Sequence, residues 1–136
     1  MGIEITEGGQ AHLDAMARRS GGGAVDEAQF TPGFVDHDPA EGQPAGGAGL
    51  AWFWARFGES FSDLDREVLE TVATADHLVT VMALSGTHTG DYQGHPPTGR
   101  RFTVRNVQVI RFEDGRMAER WGSTDEQGIL RQLGLG

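Results

Sequence analysis

Between Arg66 and Thr124 apolar residues return with a period of two through four successive segments, EVLETVATA, HLVTVMALSGTH, RFTVRNVQVIRF and RMAERWGST. That is the period of a strand whose two faces meet different surroundings. Asp76-His77 marks the first turn. Glu113-Asp114-Gly115 marks a tight hairpin, where glycine supplies a positive φ. A long turn, Gly90–Gly99, joins the second and third segments. Strands connected in this order form an antiparallel meander, and its apolar face needs a cover.

The preceding segment supplies one. Leu50, Phe53, Trp54, Phe57 and Phe61 share one face of a helix, while Arg56, Glu59 and Ser60 fall largely elsewhere. Either this stripe is plain core, or Phe53, Trp54 and Phe57 also wall an apolar ligand cavity. Upstream, Gln10–Arg19 is predicted to be a helix that Gly21–Gly23 ends. VDEAQF, from Val25, reads as a short second helix, and Phe34–Asp38 as a brief strand. The loop PAEGQPAGGAG that follows is expected to be an exposed lip. Asp125–Leu133 resumes a helical pattern. Helices followed by a meander is an α+β order, expected as one domain over residues 1–136 with residues 1–9 loose. The glycines of Gly86–Gly99 let two long strands bend, so helices on a strongly curved mixed or antiparallel sheet should form a cone.

Charge and composition exclude several classes of function. The chain carries a formal charge of −9, which repels phosphate backbones and anionic membranes, so no nucleic-acid or membrane partner is expected. It has no cysteine, which removes disulfides, thiolate nucleophiles and cysteine-held metals. All 11 basic residues are arginine, which removes Schiff-base chemistry on a lysine. MGIEITEGGQ carries acids and no apolar run, and a cytoplasmic protein is expected.

Strand parity selects the residues that share an interior. Phe102, Val104, Asn106, Gln108 and Ile110 lie on one face of the third strand. The amides of Asn106 and Gln108 need partners if buried, and they either bond each other or orient a ligand carbonyl. His88, at the end of the second strand, is either a rim histidine or a pocket acid/base. His95 is expected to be exposed. Asp36, His37 and Asp38 form an acid–imidazole cluster in which an Asp-oriented His37 stands at a pocket mouth, with no metal expected. Asp125 fits the N-cap of the last helix or a cavity-facing carboxylate. Trp121 and Tyr92 offer wall or rim surface.

Four stretches then stand together: FVDHDP (Phe34–Pro39), SGTHTGDYQGHPPTGRRF (Ser85–Phe102), IRFEDGRMAERW (Ile110–Trp121) and DEQGILRQLG (Asp125–Gly134). In this order the sequence resembles the SnoaL-like polyketide cyclases of the NTF2-like superfamily. The resemblance implies an α+β cone, a homodimer through the outer sheet face, and a pocket that works on a small molecule without a cofactor. It implies acid/base ring closure or isomerisation of a polyketide-type substrate. Relatives also include epoxide hydrolases and proteins without known activity. In the characterised cyclases an Asp three positions before the D-x-Q-G Asp is the acid/base, supported by a His on the preceding strand. Here those positions hold Gly122 and Gln108. Another residue must act (His88, Asp125 or His37), or the chain is a non-catalytic binding protein, or its reaction is of the epoxide hydrolase type.

Overall fold

The computed structural model describes residues 9–10 and 27–136. The helix expected over Gln10–Arg19 and the start of VDEAQF lie outside these, apart from a helical Gly9–Gln10 and a 3-10 turn at Glu27–Gln29. Five strands follow: β1 (Phe30–Asp36), β2 (Asp65–Ala73), β3 (His77–Thr87), β4 (Arg101–Glu113) and β5 (Arg116–Thr124). Helix α1 (Gly47–Ser60) lies between β1 and β2, and α2 (Glu126–Gln132) follows β5. The brief strand expected at Phe34–Asp38 begins earlier, at Phe30, and contains Pro32. Proline is tolerated there because β1 is an edge strand.

The sheet order is β1-β5-β4-β3-β2. β2 to β5 form the expected antiparallel meander, and β1 adds a parallel strand beside β5, which makes the sheet mixed. The fold is α+β, with helices on a five-stranded mixed sheet. Register shifts break the β1–β5, β2–β3 and β4–β5 ladders, and such bulges bend a sheet. The β4–β5 turn uses Asp114 and Gly115, both with positive φ.

Alternation along β3 and β4 is nearly complete. Leu78, Thr80, Met82, Leu84, Gly86 and His88 are buried on one face, and their partners Phe102, Val104, Asn106, Gln108 and Ile110 are buried with them. Phe30, Phe34, Leu50, Trp54, Phe57 and Phe61 join these inner-face residues in one core. Gly90 passes so close to α1 that a Cβ would overlap the Glu59 carbonyl oxygen, while its N–H bonds the Ser60 carbonyl at 3.0 Å. The turn chemistry of Gly86–Gly99 therefore serves to press this loop on the end of α1.

β5 ends opposite Asn106, and past the Arg105 carbonyl, which accepts from the Asp125 N–H at 3.3 Å, β4 has no strand beside it on that side toward Arg101. α2 covers this stretch. The Gln132 carboxamide accepts from the Thr103 N–H at 2.9 Å and donates to the Thr103 carbonyl at 3.0 Å. Asp125 caps α2 by accepting from the Gly128 N–H at 2.8 Å. No helix among the described residues is long and apolar enough to cross a membrane.

Candidate functional site

A row of polar side chains crosses the otherwise apolar inner face. Gln108 and Gly122 are direct partners across β4 and β5, and Asn106 faces Thr124 two pairs further on. Thr124 Oγ1 accepts from Asn106 Nδ2 at 2.6 Å, and Asn106 Oδ1 accepts from Gln108 Nε2 at 3.1 Å. Gln108 Oε1 accepts from Arg120 Nε at 3.2 Å, and Arg120 Nη1 donates to Asp36 Oδ1 at 2.9 Å. The Arg120 and Asp36 side chains are 7% and 5% exposed, so this ion pair is interior. Asp36 also accepts from Gln43 Nε2 and from the Asp38 N–H. These extra bonds are what a buried charge pair requires.

Gly122 has a steric reason. A Cβ there would stand 2.7 Å from the guanidinium carbon of Arg120, which folds over the glycine from the same face of β5. The space a side chain at residue 122 would take is filled by the Arg120 guanidinium. Asp38, exposed just beyond the end of β1, accepts from the Gly122 backbone N–H through Oδ2 at 2.9 Å. Thr80, the β3 partner of Gln108, is fully buried, and its hydroxyl has no partner.

The structure separates the other expected site residues from this row. His88 is fully buried, six residues along β3 from Met82, the partner of Asn106; strand rise makes that roughly 20 Å. Its Nδ1 accepts from the Thr98 N–H at 3.1 Å, which places the ring proton on Nε2. It packs between Phe61 and Tyr92, with ring centroids 5.8 and 6.4 Å away. Asp125 is occupied as a helix cap rather than standing nearest to Gly122. His37 and Trp121 lie on the outer face, because Gly122 points inward and Trp121 is its neighbour in the alternation. There the two rings stack at 4.7 Å, and His37 Nε2 pairs with Glu119 Oε1 at 3.0 Å, not with an Asp of its own cluster. The Arg111 guanidinium, then His37, hold the Glu119 carboxyl below its ordinary range.

The aromatic helix faces the sheet as expected. Trp54 and Phe57 are buried and Phe53 is partly buried. Trp54 lies under the Arg66 guanidinium at 4.6 Å, and Phe57 touches Phe61, Tyr92 and Phe102. Tyr92 is core, and burial raises its hydroxyl above the usual phenol range. Arg120 and Thr80 were not candidates from the sequence, and Asp36 was one only as a partner of His37. An open cleft of about 450 Å³ lies elsewhere, between β1 and the β4–β5 turn, with Val35, Arg111, Glu113, Arg116 and Glu119 in its lining. No group of three metal-ligating side chains occurs among the described residues.

The chain is similar to known proteins. The aklanonic acid methyl ester cyclase DnrD of Streptomyces peucetius is 33% identical over 106 residues, 77% of this chain and 71% of that protein. The nogalonic acid methyl ester cyclase of Streptomyces nogalater is 31% identical over 105 residues, 77% of this chain and 76% of that protein. Among solved structures, TsrD from Streptomyces laurentii superimposes with a TM-score of 0.82 at 27% identity, covering 98% of this chain and 99% of TsrD. A family model for SnoaL-like polyketide cyclases matches residues 20–133. The chain belongs to the SnoaL-like polyketide cyclase family.

Proposed function

We propose that the protein closes a ring of a polyketide-type small molecule by acid/base catalysis, without a cofactor, on the inner sheet face beneath α1. The observation that carries this reading is the buried Asn106–Gln108–Arg120–Asp36 row in a member of a cyclase family. Ring closure of the aldol type takes a proton from a carbon between carbonyls and returns one to the oxygen that develops charge. Amide and guanidinium donors aimed at that oxygen stabilise it in a site that excludes water.

His88, Asp125 and His37 are all poorly placed for the proton transfer. Asp36 is engaged by three donors. We therefore assign the transfer to Asp38, whose carboxylate sits on the Gly122 N–H. The test is turnover of aklanonic and nogalonic acid methyl esters, followed as loss of open substrate. Asp38→Asn should lower the rate by roughly 10²–10⁴. Turnover unchanged in that variant refutes the assignment.

A second reading rests on Gly122, which removes the family acid from the inner face. On this reading the protein binds such ligands and does not turn them over. Saturable binding of the esters without product selects it.

We also infer a homodimer formed through the outer sheet face, where Val79, Val81, Val107 and Val109 are only partly buried.

A further inference from the structure

Arg120 uses two of its three nitrogens within the protein. Nε donates to Gln108 and Nη1 to Asp36. Nη2 projects over Gly122, where a Cβ would collide with it, and nothing among the described residues accepts from it. The guanidinium is 7% exposed, and Nη2 keeps contact with solvent there, so its donors are open to a ligand. Asp36 offsets the charge at the Nη1 end and leaves the Nη2 donors directed elsewhere.

An independent observation lies two strands away. The Thr80 hydroxyl is fully buried on the same face, beside Gln108, and has no partner. Thr80, Gln108 and Gly122 stand in a row across β3, β4 and β5. Two strand spacings put the unused donors about 10 Å apart. Apolar surface from Met82 and Ile110 flanks the row. The arrangement suits a flat, fused-ring molecule with oxygen on both edges.

From this geometry we propose that Arg120 Nη2 binds an ionised ligand oxygen, a phenolate or enolate, while Thr80 holds a second oxygen on the opposite edge. Gly122 is then required because any side chain there would push the guanidinium from its place. The assignment rests on reading the inner face as the ligand site and names the ligand's charge state, which the family resemblance leaves open.

The test uses alizarin, a dihydroxyanthraquinone whose colour reports ionisation, titrated with the full chain across a pH series. Bound to the wild type, the dye should ionise about one pH unit lower than free dye, a roughly tenfold preference for the anion. Asp36→Asn with Arg120→Gln removes both charges together, so that neither is left as an unpaired buried ion, and should abolish the shift. Gly122→Ala should reduce it as well, by displacing the guanidinium, and it decides the matter if the double variant does not fold. Thr80→Val should weaken binding about three- to tenfold and leave the shift intact, consistent with loss of one hydrogen bond. A shift that persists in both charge-site variants overturns the proposal, as does a wild type that binds no dye or binds it without a shift. Turnover of the methyl esters with no dye shift discards the Arg120 assignment alone. A dye shift without turnover keeps that assignment and discards ring closure.

Discussion

Arg120 and Gly122 share one volume: the guanidinium carbon lies 2.7 Å from where a Cβ of residue 122 would begin. The arginine is held there by Asp36 at 2.9 Å and Gln108 at 3.2 Å. Gly122→Ala must therefore shift a bonded, buried group, and should destabilise by roughly 1–3 kcal/mol in urea unfolding. Gly122→Asp, which sets a carboxylate against the guanidinium, should drag Arg120 off Asp36. In a variant where Arg120 is already Ala, Gly122→Ala should cost much less, because coupled sites are not additive. Equal costs in both backgrounds would show that the two residues do not compete for space.

Phe57 and Phe53 lie one turn apart on α1 but differ in surroundings. Phe57 is buried against Phe61, Tyr92 and Phe102, and Phe53 only partly. Phe57→Ala should cost roughly 3–5 kcal/mol and Phe53→Ala clearly less. Ester or dye affinity should fall in the Phe53 variant if that ring walls the ligand site. Equal large losses of stability would make both rings solid core.

Acid should weaken the outer face. Glu119 is held below its ordinary value of 4.5, first by Arg111 and then by His37. Asp63 is held below 3.8, chiefly by the Thr87 N–H and hydroxyl, with Arg101 adding to it. A carboxyl depressed in the folded state stabilises at pH above its unfolded value, and that contribution is lost as pH falls through the folded value. The urea midpoint should thus drop as pH falls below about 4.5, and Glu119→Gln should flatten that drop. A variant profile parallel to the wild type would refute the link.

Light scattering at micromolar concentration should give twice the chain mass of 14.6 kDa. The partly buried Val107 and Val109 stand among arginines on the face away from α1. Val109→Arg should shift the mass toward the monomer. A wild-type monomer would rule out the outer-face dimer.

Strand alternation revealed the inner face well before any coordinates. It placed Asn106 and Gln108 inside, and both are buried. The same parity opposes Trp121 to Gly122 and puts it on the outer face, which its aromatic character, suited to wall or rim surface, does not suggest. Arg120 escaped notice because an arginine in a strand normally reads as surface. Its burial depends on Asp36, 84 residues away, brought alongside by the parallel β1–β5 pairing that an antiparallel meander does not suggest. His88 was legible as a strand-end residue, but not its depth, which follows from Phe61 and Tyr92 closing over it. Asp125 fitted two roles in sequence, and the Gly128 N–H at 2.8 Å shows that it is the cap.

The Gln132 carboxamide gives and takes both hydrogen bonds of Thr103, as a neighbouring strand would. A backbone ladder left open at that point would be a template for another chain to add itself. One side chain on a seven-residue helix occupies the template's terminal rung. This section of β4 is thereby closed to strand addition, including the stacking of partly unfolded copies that leads to fibres.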